Sequence, residues 1–281
     1  DAGQMRFRID VHPDSILSHT SLSCNLMLNY LGYRRHATNA WKLARSRRRH
    51  KSGQTIEALL HDGHRLVLRG GTQDPSVFHE IYVRDVYRIA SYERGEGDII
   101  DLGGNVGLFS TRVAQLAKRV FVYEPIPSNF RQLELNTKSF SNITAVQEAV
   151  GARRGMLTLF ASAAERGTGR FSAHPDSGTH DTSKSFNVPC ITLAELSERH
   201  EIEQCDLLKI DVEGAEYEIL GAARQSVYDK IKAIVGEYHA SDSGTLDSLK
   251  SNLVAAGFQL EFEPNLKTPG SGMFFAKRLP R

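Results

Sequence analysis

The chain has 281 residues, 40% hydrophobic and 24% charged, with a formal net charge of +2. These values suit a globular protein built on one large domain, and they exclude a disordered polyelectrolyte or a fibrous repeat. No apolar run approaches the ~20 residues of a membrane-spanning helix, and the start, "DAGQMRFRID", carries no signal-peptide pattern.

Residues 1–52 read as a helical, basic extension. "SILSHTSLSCNLMLNYLGY" has leucines at roughly helical spacing, and "RRHATNAWKLARSRRRHK" then carries many cations and no acid. Such a run is either a solvated face or a patch for RNA, a membrane surface or an acidic substrate. Residues 53–96 form a lead-in: "TIEALLHDGHRLVLRG" predicts a hairpin and "FHEIYVRDVYRIA" a helix. The three cysteines, Cys24, Cys190 and Cys205, are scattered with no CxxC pair. A structural zinc site of cysteine pairs is therefore not expected, and a reducing, cytoplasmic setting is.

From Gly97 onward the pattern is regular. The strands are "DIIDL", "RVFVYE", "ITAVQEAV", "CDLLKID" and "IKAIVGEYH", and helices begin near Val106, Pro127, Gly214 and Gly244. Strand–helix alternation predicts a mostly parallel sheet with helices on both faces. "FQLEFEP" and "SGMFFAKR" predict a C-terminal antiparallel hairpin at one edge. The polar segment 161–185 shows no periodicity and reads as a structureless insert, either a substrate-facing loop or a floppy excursion.

"DLGGNVGLFS" is the first chemical signal. A P-loop requires a lysine after the last glycine, and a dinucleotide fold requires GxGxxG. Here the spacing is GGxxG (Gly103, Gly104, Gly107, with Asn105 between), and Asp101 precedes it. An acid at that place suits an ammonium and opposes a pyrophosphate. Glu124, followed by Pro125, ends the next strand 23 positions after Asp101, near the ~20 expected of an acid that grips ribose hydroxyls. An ammonium, a ribose and no diphosphate together describe S-adenosylmethionine. Glu148, or its neighbour Gln147, ends the third strand where an adenine amine would need an acceptor.

The fourth strand runs into Lys209, Asp211, Glu213 and Glu216, and the fifth delivers Glu237 and His239 to the same rim. Capping of a helix N-terminus accounts for some of these acids. As a group they also supply a general base, His239 foremost, or a magnesium site built from Asp211 and Glu237.

These motifs, with "VYEPIPSNFRQLELN", "ITLAEL" and above all "LLKIDVEGAEYEIL", resemble the FkbM family of S-adenosylmethionine-dependent methyltransferases, over roughly Arg69 to Lys277. The resemblance implies a Rossmann-like class I methyltransferase domain over 97–281 with a central seven-stranded sheet. It also implies O-methylation of a hydroxyl on a natural product, sugar or glycan. An RNA methyltransferase and a non-catalytic cofactor-binding protein are the alternatives, nucleic acid being the less expected partner. Two positions depart from the family: Gly104 replaces the usual alanine, a change read as sterically harmless, and Ala194 replaces a frequent aspartate.

Overall fold

The computed structural model describes residues 27–46, 53–162, 171–172, 180–239 and 244–278. Residues 27–34 are helical and lead into α1 (Ala40–Ser46). β1 (Thr55–Leu59) and β2 (Arg65–Arg69) pair antiparallel, Thr55 opposite Arg69, as the hairpin pattern predicts. α2 (Asp74–Phe78) has a proline in its first turn and continues into a π-helical turn, His79–Arg84. The expected single helix is therefore interrupted. Asp85 and Arg88 both take left-handed backbone conformations, and the Asp85 carboxylate accepts the N–H groups of Ile89 and Ala90.

The core then alternates. β3 (Asp98–Leu102) leads to α3 (Leu108–Val113), β4 (Val120–Tyr123) to α4 (Pro127–Thr137), and β5 (Ile143–Val146) follows. β6 (Ala149–Gly151), β7 (Gly155–Ser162), β8 (Phe171–Ser172) and β9 (His180–Thr192) come next, then α5 (Leu193–Arg199). β10 (Cys205–Ile210), α6 (Glu216–Ala222), α7 (Gln225–Tyr228), β11 (Ala233–Tyr238), α8 (Leu246–Ala255), β12 (Phe258–Pro264) and β13 (Gly272–Arg278) complete the chain.

Seven strands form the central sheet in the order β12-β13-β11-β10-β3-β4-β5. β3, β4, β5, β10 and β11 are parallel; β13 runs antiparallel to β11 and to β12. Alternation along each strand explains why both faces are covered. Ile100, Leu208 and Ile234 belong to one buried apolar cluster, while their neighbours Ile99, Leu207 and Val235 belong to the other. The second cluster also holds Tyr33, Ala37 and Leu43, so the 27–46 segment packs on the same core as the β1–β2 hairpin.

One expectation fails here. The described parts of 161–185 are strand: β7, β8 and β9 build a second sheet in the order β6-β9-β7-β8, with Ala161 opposite Phe171 and Asp181. Backbone pairing does not depend on side-chain polarity, so a polar strand leaves no hydrophobic period to read. Helix starts also shift by about two residues, to Leu108, Glu216 and Leu246. In each case glycine or a capping residue precedes the first helical turn, as with the Thr245–Ser248 capping box before α8.

Candidate active site at the switch point of the sheet

The strand order reverses between β3 and β10, since the chain leaves β3 toward β4 on one side and reaches β10 on the other. Ligands in such sheets sit beyond the carboxyl ends of the strands at that reversal. A cavity of about 630 Å³ lies there, within the usual range for small-molecule sites.

The glycine turn shapes its floor. Gly103 has φ +79, and a Cβ there would run into the backbone carbonyl of Asp211. Only glycine allows β3 and β10 to end this close together. Gly107, at φ +83, precedes the first residue of α3 and does not itself line the cavity. At Gly104 a Cβ would meet Val122 Cγ2 and Leu133 Cδ1. The glycine in place of alanine is therefore not a neutral exchange, because Val122 fills the space that an alanine methyl would take.

Gly103, Gly104 and Asn105 line the cavity with Glu124, Pro125 and Glu148. Glu124 is buried, and its two carboxylate oxygens accept the N–H groups of Asn105 (2.8 Å) and Ile126 (2.9 Å). Burial pushes its pKa up to about 7, against the opposing pull of those two N–H bonds. Glu148 is tied to Arg199 at 2.6 Å. Gln147 is exposed and lies away from the cavity, so of the two only Glu148 reaches it. Ile126, Leu157 and Leu159 add an apolar wall on this side.

Asp101 is absent from the cavity surface and is fully buried. One oxygen accepts from Ser110 Oγ at 2.6 Å, and the other lies 3.0 Å from Lys209 Nζ. Lys209 stands in register with Asp101 on the neighbouring strand and also donates to the carbonyls of Gly103 and Leu102. Burial alone would lower the Lys209 pKa, but Asp101 and Asp211 more than offset it and hold the amine charged. This pair locks β3 to β10 beneath the glycine turn. The direct contact of Asp101 with a ligand ammonium, expected from sequence, has no route in this arrangement.

The opposite wall is acidic. Asp211, Glu213 and Glu237 line the cavity, and Asp211 Oδ2 accepts from Tyr87 Oη at 2.8 Å. Sequence reading missed Tyr87, which lay inside a run taken only as helical. It also missed the π-helical turn, which contributes Glu80, Ile81 and Arg84 to the cavity; π-type turns are frequent at functional sites. The tip of the β12–β13 hairpin supplies Asn265, Leu266 and Lys267 to the rim. Arg88 holds the strands of that hairpin just below the tip. Its guanidinium donates to both oxygens of Glu261 and to Glu263, and it lies 3.8 Å from the centre of the Phe275 ring.

His239 is placed differently from expectation. It lies behind the acids and not on the cavity surface, with Nδ1 3.1 Å from Glu216 Oε1 and Nε2 3.6 Å from Glu213 Oε2. Although burial would lower its pKa, the Glu216 and Glu213 carboxylates raise it to about 10. At neutral pH the ring is an imidazolium with no capacity to accept a proton, so the expected role as base does not fit. Its charge serves instead to neutralise the carboxylates around it.

A magnesium site on Asp211 and Glu237 does not fit the donor set either. The ligand atoms that lie within 4.8 Å of one another belong to Asp211, Glu216 and His239, not Glu237. Glu216 already accepts from Val212 N, Gly214 N and His239, and an imidazole suits magnesium poorly. Turnover measured with and without a strong chelator is expected to be equal. A chelator-sensitive rate restored by added Mg²⁺ would overturn this reading of the cluster.

A model of the methyltransferase FkbM domain matches residues 101–260, more than half of the chain. The chain belongs to the FkbM methyltransferase family. Its Rossmann-like fold and glycine turn are those the sequence resemblance implied. Among individual relatives of this FkbM-family chain, the 31-O-demethyl-FK506 methyltransferase FkbM of Streptomyces tacrolimicus is 24% identical, covering 66% of this chain and 82% of that protein. The hexuronic acid methyltransferase AglP of Haloferax volcanii is 28% identical, over 56% of this chain and 62% of its own length. The AMB antimetabolite synthetase AmbE of Pseudomonas aeruginosa is 24% identical over 78% of this chain, which spans only 12% of that much longer protein. A solved FkbM methyltransferase from Methylobacillus flagellatus aligns at 13% identity and a TM-score of 0.46, covering 92% of this chain and 60% of that one.

Proposed function

We propose that this FkbM-family chain transfers a methyl group from S-adenosylmethionine to a hydroxyl oxygen of a small-molecule or glycan acceptor. One observation carries the reading. A single cavity has nucleoside-type groups on one wall (the Gly103–Asn105 backbone, Glu124, Pro125) and the carboxylates Asp211, Glu213 and Glu237 on the other. Relatives named for a hydroxyl of FK506 and for a hexuronic acid support the acceptor class. An acidic wall also opposes a polyphosphate substrate, which weighs against RNA.

Gly103, Asn105 and Glu124 would hold the donor, whose sulfonium supplies an electrophilic methyl group when bound. Each Glu124 oxygen spends one lone pair on a backbone N–H and keeps another for a ribose hydroxyl. An alcohol is a poor nucleophile, so the chain must orient it and take its proton. Asp211 is our candidate for that base. It ends β10 directly beside Gly103, and the Tyr87 hydroxyl fixes one of its oxygens. Asp211 would take the hydroxyl proton as the chain holds the acceptor oxygen in line with the donor's methyl group.

A Glu124→Ala variant is expected to bind S-adenosylhomocysteine roughly ten- to a hundred-fold more weakly, the worth of a hydrogen bond to a charged group. The wild-type affinity should also fall as pH drops from ~8 to ~6, because a carboxyl with a pKa of about 7 becomes protonated there and gives up its charge and one acceptor position. Calorimetry checks both. No binding of S-adenosylhomocysteine at any pH ends the donor assignment. Labelled methyl transfer to RNA, with none to hydroxyl acceptors, ends the acceptor assignment.

A further inference from the structure

The acidic cavity leaves the basic N-terminal segment without a role. Between Asp14 and Glu57 the chain has no acid, yet it carries Arg34, Arg35, Lys42, Arg45, Arg47, Arg48, Arg49 and Lys51. The described part of this segment has two faces. One is anchored: Tyr33, Ala37, Ala40, Leu43 and Ala44 are buried, and the Tyr33 ring stacks on Phe78 at 5.8 Å. The other is exposed and mixes cations with large apolar side chains. At 3.6 residues per turn Met27, Leu28, Leu31 and Arg34 share one side of the 27–34 helix, Arg35 follows in the next turn, and all five are exposed.

α1 extends that surface. Trp41 is 49% exposed, yet its ring is fixed edge-on against Tyr30 at 5.5 Å. Tyr30, Arg34, Trp41, Lys42 and His61 line one shallow concavity. Exposed aliphatic side chains beside an indole and a ring of cations match what a bilayer interface selects. The apolar groups enter the acyl boundary, tryptophan sits at headgroup level, and the cations meet lipid phosphates.

We propose that this face docks the protein on an anionic membrane surface. Two other occupants fit less well. Nucleic acid would satisfy the cations but offers no apolar medium for Met27, Leu28 and Leu31. A second copy of the chain would bring two predominantly basic faces together, at a cost in repulsion. The surface lies on a different element from the cavity residues, so docking would set where the enzyme meets its acceptor without altering the chemistry.

Trp41 is the only tryptophan in the chain, so its fluorescence reports this face directly. The full chain is mixed with phosphatidylcholine vesicles containing about a third phosphatidylserine, and with pure phosphatidylcholine vesicles. Sedimentation with the anionic vesicles and a blue-shifted indole emission are expected. Reversal of charge in Arg34→Glu/Lys42→Glu should lower partitioning about ten-fold or more. Leu28→Ser/Leu31→Ser should abolish the blue shift, with binding of S-adenosylhomocysteine unchanged in both variants. Equal behaviour on neutral and anionic vesicles overturns the proposal. So does binding to RNA without vesicle binding, self-association of the chain through this face, or an emission that stays unshifted on sedimented vesicles.

Discussion

Lys209→Met will lower the stability of the fold by about 3–5 kcal/mol, the usual cost of removing one member of a buried ion pair. Lys209 and Asp101 are both shut off from solvent and in register on adjacent strands, so the variant leaves a buried carboxylate without its counter-charge. Domains of this kind have ~5–15 kcal/mol in total, so the loss takes a large share of it. Urea denaturation measures the effect. The double variant Lys209→Met/Asp101→Asn should regain most of the loss, because it removes the stranded charge. A single variant with wild-type stability and no turnover would show that Lys209 serves the reaction and not the fold.

Asp211→Asn should leave the protein folded and cut turnover by about 10²–10⁴-fold, the range for loss of a general base. The amide keeps the size of the side chain and a carbonyl to accept the Tyr87 hydroxyl, but it cannot take the acceptor proton. Affinity for S-adenosylhomocysteine should stay within a few-fold of wild type. Steady-state rates alongside calorimetry separate the two effects. A variant that turns over at the wild-type rate removes Asp211 from the chemistry. Glu237→Gln, measured in the same way, then identifies whether the second carboxylate holds that role.

The parts of this molecule legible in the sequence are those where burial writes a period. "DIIDL" and "CDLLKI" are strands because every second side chain enters one of two apolar layers, and the C-terminal hairpin follows in the same way. Glu124 could be located because an acid ending the strand after a glycine turn stands at a known distance from it. The strand pairing that gives Asp101 to Lys209 is not local, so the sequence alone could not show that the acid was already taken. His239 was misjudged for a related reason. An isolated imidazole near its ordinary pKa is a good base, but the Glu213, Glu216 and Glu237 carboxylates converge on it only when the end of β10 and the start of α6 meet the end of β11. Tyr87 was hidden inside an apparently regular helix that the left-handed Asp85 and Arg88 break.

The anchoring of the C-terminal hairpin has a bearing on how acceptor choice could change. Arg88 grips the tip-proximal half of β12 and β13 through Glu261, Glu263 and Phe275. The tip, with Leu266 almost wholly exposed, reaches the cavity rim. The hairpin is thus held twice, by the pairing of β13 with β11 along its length and by the Arg88 clasp, and only the tip between its strands stands free of the sheet. The donor-side groups lie on β3, β4 and their following turns, while residues 265–271 form a turn between paired strands. Loops carried on a rigid frame tolerate changes of length and sequence far better than the frame does. Exchanging that tip for the corresponding stretch of another family member is therefore a cassette swap. It would redraw the size and polarity of the entrance while the glycine turn, the Lys209 lock and the donor-side wall stay as they are.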